Sequence, residues 1–341
     1  VRSTVSPSDP THPRPASRRR RILRGLLVGV LVLTASCYIN NTNLLTDTDG
    51  ARPTLLAHRG LAQTFGFDGM TGDTCTAERI HPPEHPYLEN TITSMRAAFD
   101  AGADIVEFDI QLTRDDRLVV FHDHLLECRT DGTGKIRDHT LAELRRLDIG
   151  YNYTPDGGAT FPFRGKGVGL MPTIDGVIGA FPDRELLIDV KSGDPVEGER
   201  LADYLATLPT ERLKTITVYG GDAPIAALAA RLPQVRVLSM ATLKDCLYRY
   251  IAVGATGHVP AACRNRQLHI PETYGPWLWG WPNKFVDRMT KHNSRVVIVA
   301  GDGGFSEGFD SADDWKRLPA GYTGVVWTNR VDRVAPLRDR N

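Results

Sequence analysis

The sequence has no C-x-x-C pair, no visible internal repeat, no net charge and only one long apolar run. The first absence argues against the common cysteine-rich zinc sites, and the second against repeat arrays. The third conceals an asymmetry. Seven arginines against Asp9 give the first 24 residues a charge of +6, and residues 25–341 carry 34 basic and 40 acidic side chains. A mildly acidic body argues against nucleic acid as a partner, because backbone binding needs a concentrated basic face. With 41% apolar and 24% charged residues, the remainder has ordinary globular composition and length enough for one large core.

The one apolar run, Gly25 to Cys37, follows Arg18-Arg19-Arg20-Arg21. A basic stretch ahead of an apolar one is the pattern of a secretory signal or an amino-terminal anchor, with the arginines on the cytoplasmic side. The expected organisation is a basic tail or signal n-region over 1–24, a hydrophobic segment over 25–39, a linker over 40–52 and a catalytic body over 53–341. The run is short for a full span unless Tyr38 and Ile39 are counted. Leu33-Thr34-Ala35-Ser36-Cys37 also resembles a bacterial lipoprotein cleavage site. The expected location is therefore extracytoplasmic, either secreted or held at the membrane by a lipid or one helix. Cysteine usage agrees: apart from Cys37 there are four, and an oxidising compartment would pair them. Cys75 with Cys128 and Cys246 with Cys263 is the favoured pairing, since the first two lie in loops after proposed site strands.

From Pro53 onward apolar strands alternate with amphipathic helices. Strands are expected at 54–57, 104–109, 118–122, 185–190, 215–219, 235–240, 296–300 and 324–327, with a weaker one near 267–270. Helices are expected at about 91–101, 140–147, 173–181, 196–208, 223–231, 242–253, 283–292 and 311–318. Some eight strands over this length suit an α/β chain folded as a distorted (β/α)8 TIM barrel, with a small insertion after the third strand at about 125–172. Between Asp109 and Leu118 there is too little chain for a helical crossover. A hairpin turning at Thr113–Arg117 would place Asp109 opposite His122.

Polar residues punctuate these strands at their ends. His58-Arg59-Gly60 follows the first, Glu107-Phe108-Asp109 ends the second, His122-Asp123 ends the third and Asp189-Val190-Lys191 ends the fourth; Leu88-Glu89-Asn90-Thr91 opens the first helix. Barrel strands gather reacting groups at their carboxyl ends. Glu107 and Asp109 share a face by the period-two rule, and burying two like charges is costly unless a cation compensates. Histidines, carboxylates and an arginine converging on one mouth are the parts of metal-assisted phosphodiester cleavage.

The order and spacing of these motifs resemble the glycerophosphodiester phosphodiesterase family from about Thr54 to Lys191. The segment 150–165 resembles the small insertion of its bacterial members, and Gly324–Arg330 its final strand, with Asn329 where aspartate is frequent. The resemblance implies a distorted barrel that hydrolyses glycerophosphodiesters to glycerol 3-phosphate and an alcohol. Glu107, Asp109 and Asp189 would hold one divalent ion, Ca2+ or Mg2+, through oxygen ligands. Arg59 and Lys191 would bind the substrate phosphate, His58 and His122 would divide acid and base duties, and Glu89 and Asn90 would contact substrate or support these groups, or cap the helix that begins there.

Rival readings are a lysolipid phosphodiesterase, hinted at by Trp277-Leu278-Trp279-Gly280-Trp281, and a barrel that binds phospholipid headgroups without turnover. Ordinary packing under a long loop is the expectation for the tryptophans, solvated loops for His81, His85 and His124, and a strand-end turn for Gly301–Gly304.

Overall fold

Each apolar run after Pro53 forms a strand in the computed structural model, which describes residues 18–46, 52–71, 74–304 and 307–339. The strands are β1 Thr54–Ala57, β2 Ile105–Leu112, β3 Leu118–Val120, β4 Glu185–Val190, β5 Ile216–Gly220, β6 Arg236–Leu238, β7 Gln267–Pro271, β8 Arg295–Val299 and β9 Val325–Thr328. Eight of them are parallel in the order β6-β5-β4-β2-β1-β9-β8-β7. A lone parallel bridge from Val237 to Arg266 brings β6 beside the start of β7, so the barrel is nearly closed.

The short expected strand at 267–270 is fully part of the barrel. The hairpin is present too: β3 pairs antiparallel with β2 alone. Its register differs by one residue from expectation. Ile110 faces Val120, and the Phe121 amide donates to the Asp109 carbonyl, so Phe121 rather than His122 stands opposite Asp109. The five-residue turn consumes Thr113, whose amide donates to the Arg117 carbonyl.

Alternation along the strands separates two cores. Leu55, Val106, Phe108, Ile110, Leu186 and Ile188 face outward and pack under the helices. Leu56, Ile105, Leu187, Val297, Val299, Val325 and Trp327 fill the barrel interior. Each such side chain, when fully buried, stabilises the fold by about 1.5–3 kcal/mol. The chain after β3 supplies a third cluster, with Leu126, Ile136, Leu144, Tyr153 and Phe163 packed on Val119 and Phe121. The segment expected as an insertion therefore has a core of its own.

Two helices lie outside the expected set. Thr210–Leu213 is a single turn, too short for a periodic signal, and Val331–Arg338 contains Pro336, which reads as a breaker. The apolar run is longer than expected: a helix covers Arg18–Asn41, and its apolar stretch Arg19–Asn41 has the length and composition of a membrane span. The same test admits signal sequences. Both expected disulfides form, Cys75–Cys128 and Cys246–Cys263.

Candidate active site

In the β2–β4 register Asp109 lies directly beside Asp189, and on the next strand Asp189 lies beside Tyr219. Glu107 sits two residues below Asp109 on the same inward face. The oxygens of Glu107, Asp109 and Asp189 fall within 4.8 Å of one another, and all three residues are buried. Among the described residues they form the one such group of possible metal ligands; His81, His85 and His124 do not join it. His85 instead bonds Gln63 and the Ala62 carbonyl.

Each carboxylate of this trio accepts a hydrogen bond from its surroundings. Glu107 Oε2 accepts from the Arg59 amide at 2.9 Å and Oε1 from the Tyr219 hydroxyl at 2.8 Å. Asp109 Oδ2 accepts from Asn90 Nδ2 at 2.7 Å, while the Asp109 amide donates to Asn90 Oδ1, a two-way clasp. Lys191 Nζ stands 3.0 Å from Asp189 and 3.5 Å from Asp109. Asp109 Oδ1 is buried and makes no hydrogen bond, with the Lys191 ammonium 3.5 Å away, which suits an oxygen with a lone pair left for a cation.

Burial, then Asp109 and Asp189, pushes the Glu107 carboxyl well above its ordinary range. Burial and the Asp109 charge, opposed by Lys191, bring Asp189 up to about 6. Burial acts upward on Asp109 too, but the Lys191 ammonium and the Arg59 guanidinium hold it below the usual carboxylate range.

The first histidine is fixed from both sides. His58 Nδ1 lies 2.7 Å from Asn329 Oδ1, and Arg59 Nε donates to His58 Nε2 at 3.1 Å. An amide oxygen accepts, so Nδ1 carries the proton and Nε2 is the acceptor in this network. Burial, followed by the Arg59 charge, keeps this imidazole well below its ordinary value and hence neutral. Behind it, Asn329 donates to Asp310 through both its amide and its side chain. The second histidine is less enclosed: His122 Nδ1 lies 3.2 Å from Asp123 Oδ1, and its side chain is 24% exposed against 6% for His58. Burial and Arg59 lower His122 as well.

Glu89 and Asn90 do not cap the helix; Thr91 does, in a capping box with Ser94. Glu89 is a bridge between two arginines, 2.9 Å from Arg59 Nη1 and 2.9 Å from Arg129 Nη1. Arg59 and Asn90 both take positive φ, 56° and 59°, a conformation that costs about 1–3 kcal/mol outside glycine and persists only where surroundings enforce it. The Asn90 amide donates to the Arg59 carbonyl, so the two turns hold each other.

Arg129, Asp310, Tyr219 and His269 were not singled out in the sequence. Arg129 is buried and reaches Glu89, Asp123, Tyr153 and Thr76. Thr76 and Arg129 each follow a cysteine of the Cys75–Cys128 bridge, and that adjacency was the available signal. Within the ion-pair network five carboxylates (Glu89, Glu107, Asp109, Asp123 and Asp189) face three cations (Arg59, Arg129 and Lys191). With every carboxylate ionised two negative charges would remain; one divalent cation would balance them and relieve the repulsion that adds to burial in raising Glu107 and Asp189. Beside His58 opens a pocket lined by Gln63, Phe65, Phe67 and Asn329.

The tryptophans lie elsewhere. Trp281 packs on Phe285 and Tyr322, whereas Trp279 Nε1 donates to the Ile251 carbonyl at the end of the Met240–Val253 helix. Gly301 and Gly303 form a positive-φ turn after β8.

Residues 58–213 match the model of the glycerophosphoryl diester phosphodiesterase family. A glycerophosphodiester phosphodiesterase of Bacillus subtilis is 32% identical over 192 residues, covering 50% of this chain and 63% of the relative. One from Caldanaerobacter subterraneus is 37% identical over 107 residues, covering 31% of this chain and 40% of the relative. The matches thus span less than two thirds of either relative. Among solved structures, the glycerophosphoryl diester phosphodiesterase domain of an uncharacterized Mycobacterium tuberculosis protein superposes with TM-score 0.58 at 19% identity, covering 85% of this chain and all of that one. An Oleispira antarctica phosphodiesterase, solved in complex with the product sn-glycerol-3-phosphate, gives 0.52 at 18% identity over 86% and 99% of the two chains. At these identities the likeness is one of fold.

Proposed function

We propose that this chain, whose residues 58–213 match the glycerophosphoryl diester phosphodiesterase family, acts as a member of that family and hydrolyses glycerophosphodiesters to glycerol 3-phosphate and an alcohol with the help of one divalent ion. The observation that carries the reading is the side-by-side register of Asp109 and Asp189 above Glu107, flanked by His58, His122, the buried Arg59 and the half-buried Lys191.

Glu107, Asp109 and Asp189 are the residues that would hold the ion, and their all-oxygen set suits Ca2+ or Mg2+. When bound, such an ion supplies Lewis-acid stabilisation of negative charge on phosphate oxygens. The remaining chemistry belongs to the chain. Arg59 offers a planar fork and Lys191 a point charge to the phosphate. His58, neutral with Nε2 as its acceptor, takes the proton from the attacking hydroxyl or water. His122, protonated for this step and held through Nδ1 by the Asp123 carboxylate, gives a proton to the leaving alkoxide, and exchange with water resets both imidazoles. Glu89 and Asn90 position Arg59 and Asp109.

The helix 18–41 and the two disulfides support an extracytoplasmic, membrane-held location. The lysolipid reading loses its sequence hint, because the tryptophan loop is fastened to the Met240–Val253 helix and not to the mouth.

The test is a release assay with glycerophosphocholine and with lysophosphatidylcholine, each with calcium or magnesium. Glycerol 3-phosphate from the first substrate is expected. Turnover of the lysolipid alone, or binding without turnover, would overturn the proposal.

A further inference from the structure

The helix 18–41 is fastened to the barrel by side-chain amides. Asn40 and Asn41 both donate to the Ala255 carbonyl at 3.0 and 2.9 Å, and Arg288 donates to the Asn40 carbonyl and to Asn41 Oδ1. Asn43 donates to the Trp281 carbonyl and accepts from the amides of Asn283 and Lys284.

The attachment points have a definite place in the barrel. Ala255 lies in the connection from the Met240–Val253 helix to β7, a connection that reaches the start of that strand. Asn283 is tied to Gly321 and Thr323, just ahead of β9. Both connections sit where strands begin. The site residues stand where strands end, so the helix leaves from the face opposite the mouth.

Apolar groups lie exposed at that exit. Tyr248, Ile251 and Val253 are exposed on the last turns of the Met240–Val253 helix, and Tyr38 is exposed on the helix 18–41. The partly exposed Trp279 spans the gap, bonded to the Ile251 carbonyl on one side and lining a groove with Leu33, Cys37 and Tyr38 on the other. Exposed apolar groups gathered on one surface mark an interaction site, and tyrosine and tryptophan beside the end of an apolar helix are the composition of the membrane–water boundary.

We propose that this surface rests in the interface of the bilayer that the helix enters, which holds the active-site mouth toward water. The inference rests on the membrane-anchored reading given above and sharpens the substrate class. The enzyme would draw on glycerophosphodiesters dissolved in the aqueous phase, not on lipids of the bilayer beneath it.

The test uses the full chain reconstituted into vesicles of phosphatidylethanolamine and phosphatidylglycerol with brominated acyl chains, which quench nearby tryptophans. Strong quenching relative to unbrominated vesicles is expected, with loss of the larger part of it in Trp279→Phe and unchanged release of glycerol 3-phosphate. Flotation with the vesicles but no quenching, or quenching that Trp279→Phe leaves intact, would overturn the proposal. So would a cross-linked dimer that shields Trp279 from lipid. Failure to float would remove the anchor and this inference together, while the release assay scores the hydrolytic reading independently.

Discussion

The two halves of the barrel bury different things. From β1 to β4 the strand ends carry His58, Arg59, Glu107, Asp109, Asp189 and Lys191, whereas from β5 to β8 the inward positions include Tyr219, Gln267, His269, Val297 and Val299. One half concentrates charge and the other walls it in. The contrast shows how the site is sustained: like charges stay together because arginine and lysine from the same half pair with them, and aromatic and aliphatic groups across the barrel keep water out, which strengthens those pairings.

If the charged half does the chemistry, the largest effects come from its histidines. His58→Ala and His122→Ala are each expected to lower turnover by about 10²- to 10⁴-fold with the melting temperature little changed. Steady-state kinetics and a thermal scan measure both. A variant keeping more than about a tenth of the wild-type rate would strip that histidine of its role.

The next largest effect concerns the unbalanced carboxylates. Chelation is expected to abolish activity and lower the melting temperature, with calcium or magnesium restoring both by linkage to the folded state. Asp109→Asn should shrink the stabilisation gained on adding metal. Full activity with no metal by elemental analysis would contradict the three-carboxylate site.

Arg129 tests whether the charged half is one connected unit. Arg129→Met leaves the buried Glu89 and the half-buried Asp123 without their shared partner, and breaking a buried pair in this way costs about 3–5 kcal/mol. Denaturant unfolding measures it, and a loss within the error of the measurement would show the network to be dispensable.

The walling half should respond more gently. Tyr219→Phe removes one hydrogen bond to Glu107, worth about 1 kcal/mol, or roughly a fivefold change in rate. A loss comparable to that of the histidine variants would erase the distinction between the halves.

The smallest effect is at the surface. Hydrogen bonds from Arg330 and then Arg333 hold the exposed Glu84 carboxyl at about 2, below its ordinary 4.5. A depressed carboxyl contributes stability that is present above 4.5 and lost as the pH falls toward 2. Glu84→Gln should therefore lower the melting temperature slightly above pH 4.5 and flatten its dependence on pH between 4.5 and 2, with activity near neutrality unaffected.

Much of this was legible because charge at the end of an apolar run is conspicuous. His58, Glu107, Asp109, His122, Asp189 and Lys191 are such interruptions, and the structure brings them to one mouth. Tyr219 and His269 escaped notice because an aromatic residue inside a strand reads as core. Arg129 escaped because two of its partners, Glu89 and Thr76, are 40 and 53 residues away, and Asp310 because it acts through Asn329. The hairpin was read from the shortage of chain, but its register depends on how many residues the turn consumes, which composition does not encode.

That hairpin makes chain length itself a functional parameter. Elsewhere in a barrel a loop can gain a residue and the strands hardly notice. Here the spacing between Asp109 and His122 is set by Thr113–Arg117, where Thr113 Oγ1 accepts from the Arg117 amide and Asp116 takes a φ of 55°. One inserted residue would slip β3 by one and turn its side chains to the opposite face, taking His122 from the mouth while leaving every residue of the site in the sequence. Deletion and insertion, more than substitution, are what this turn forbids.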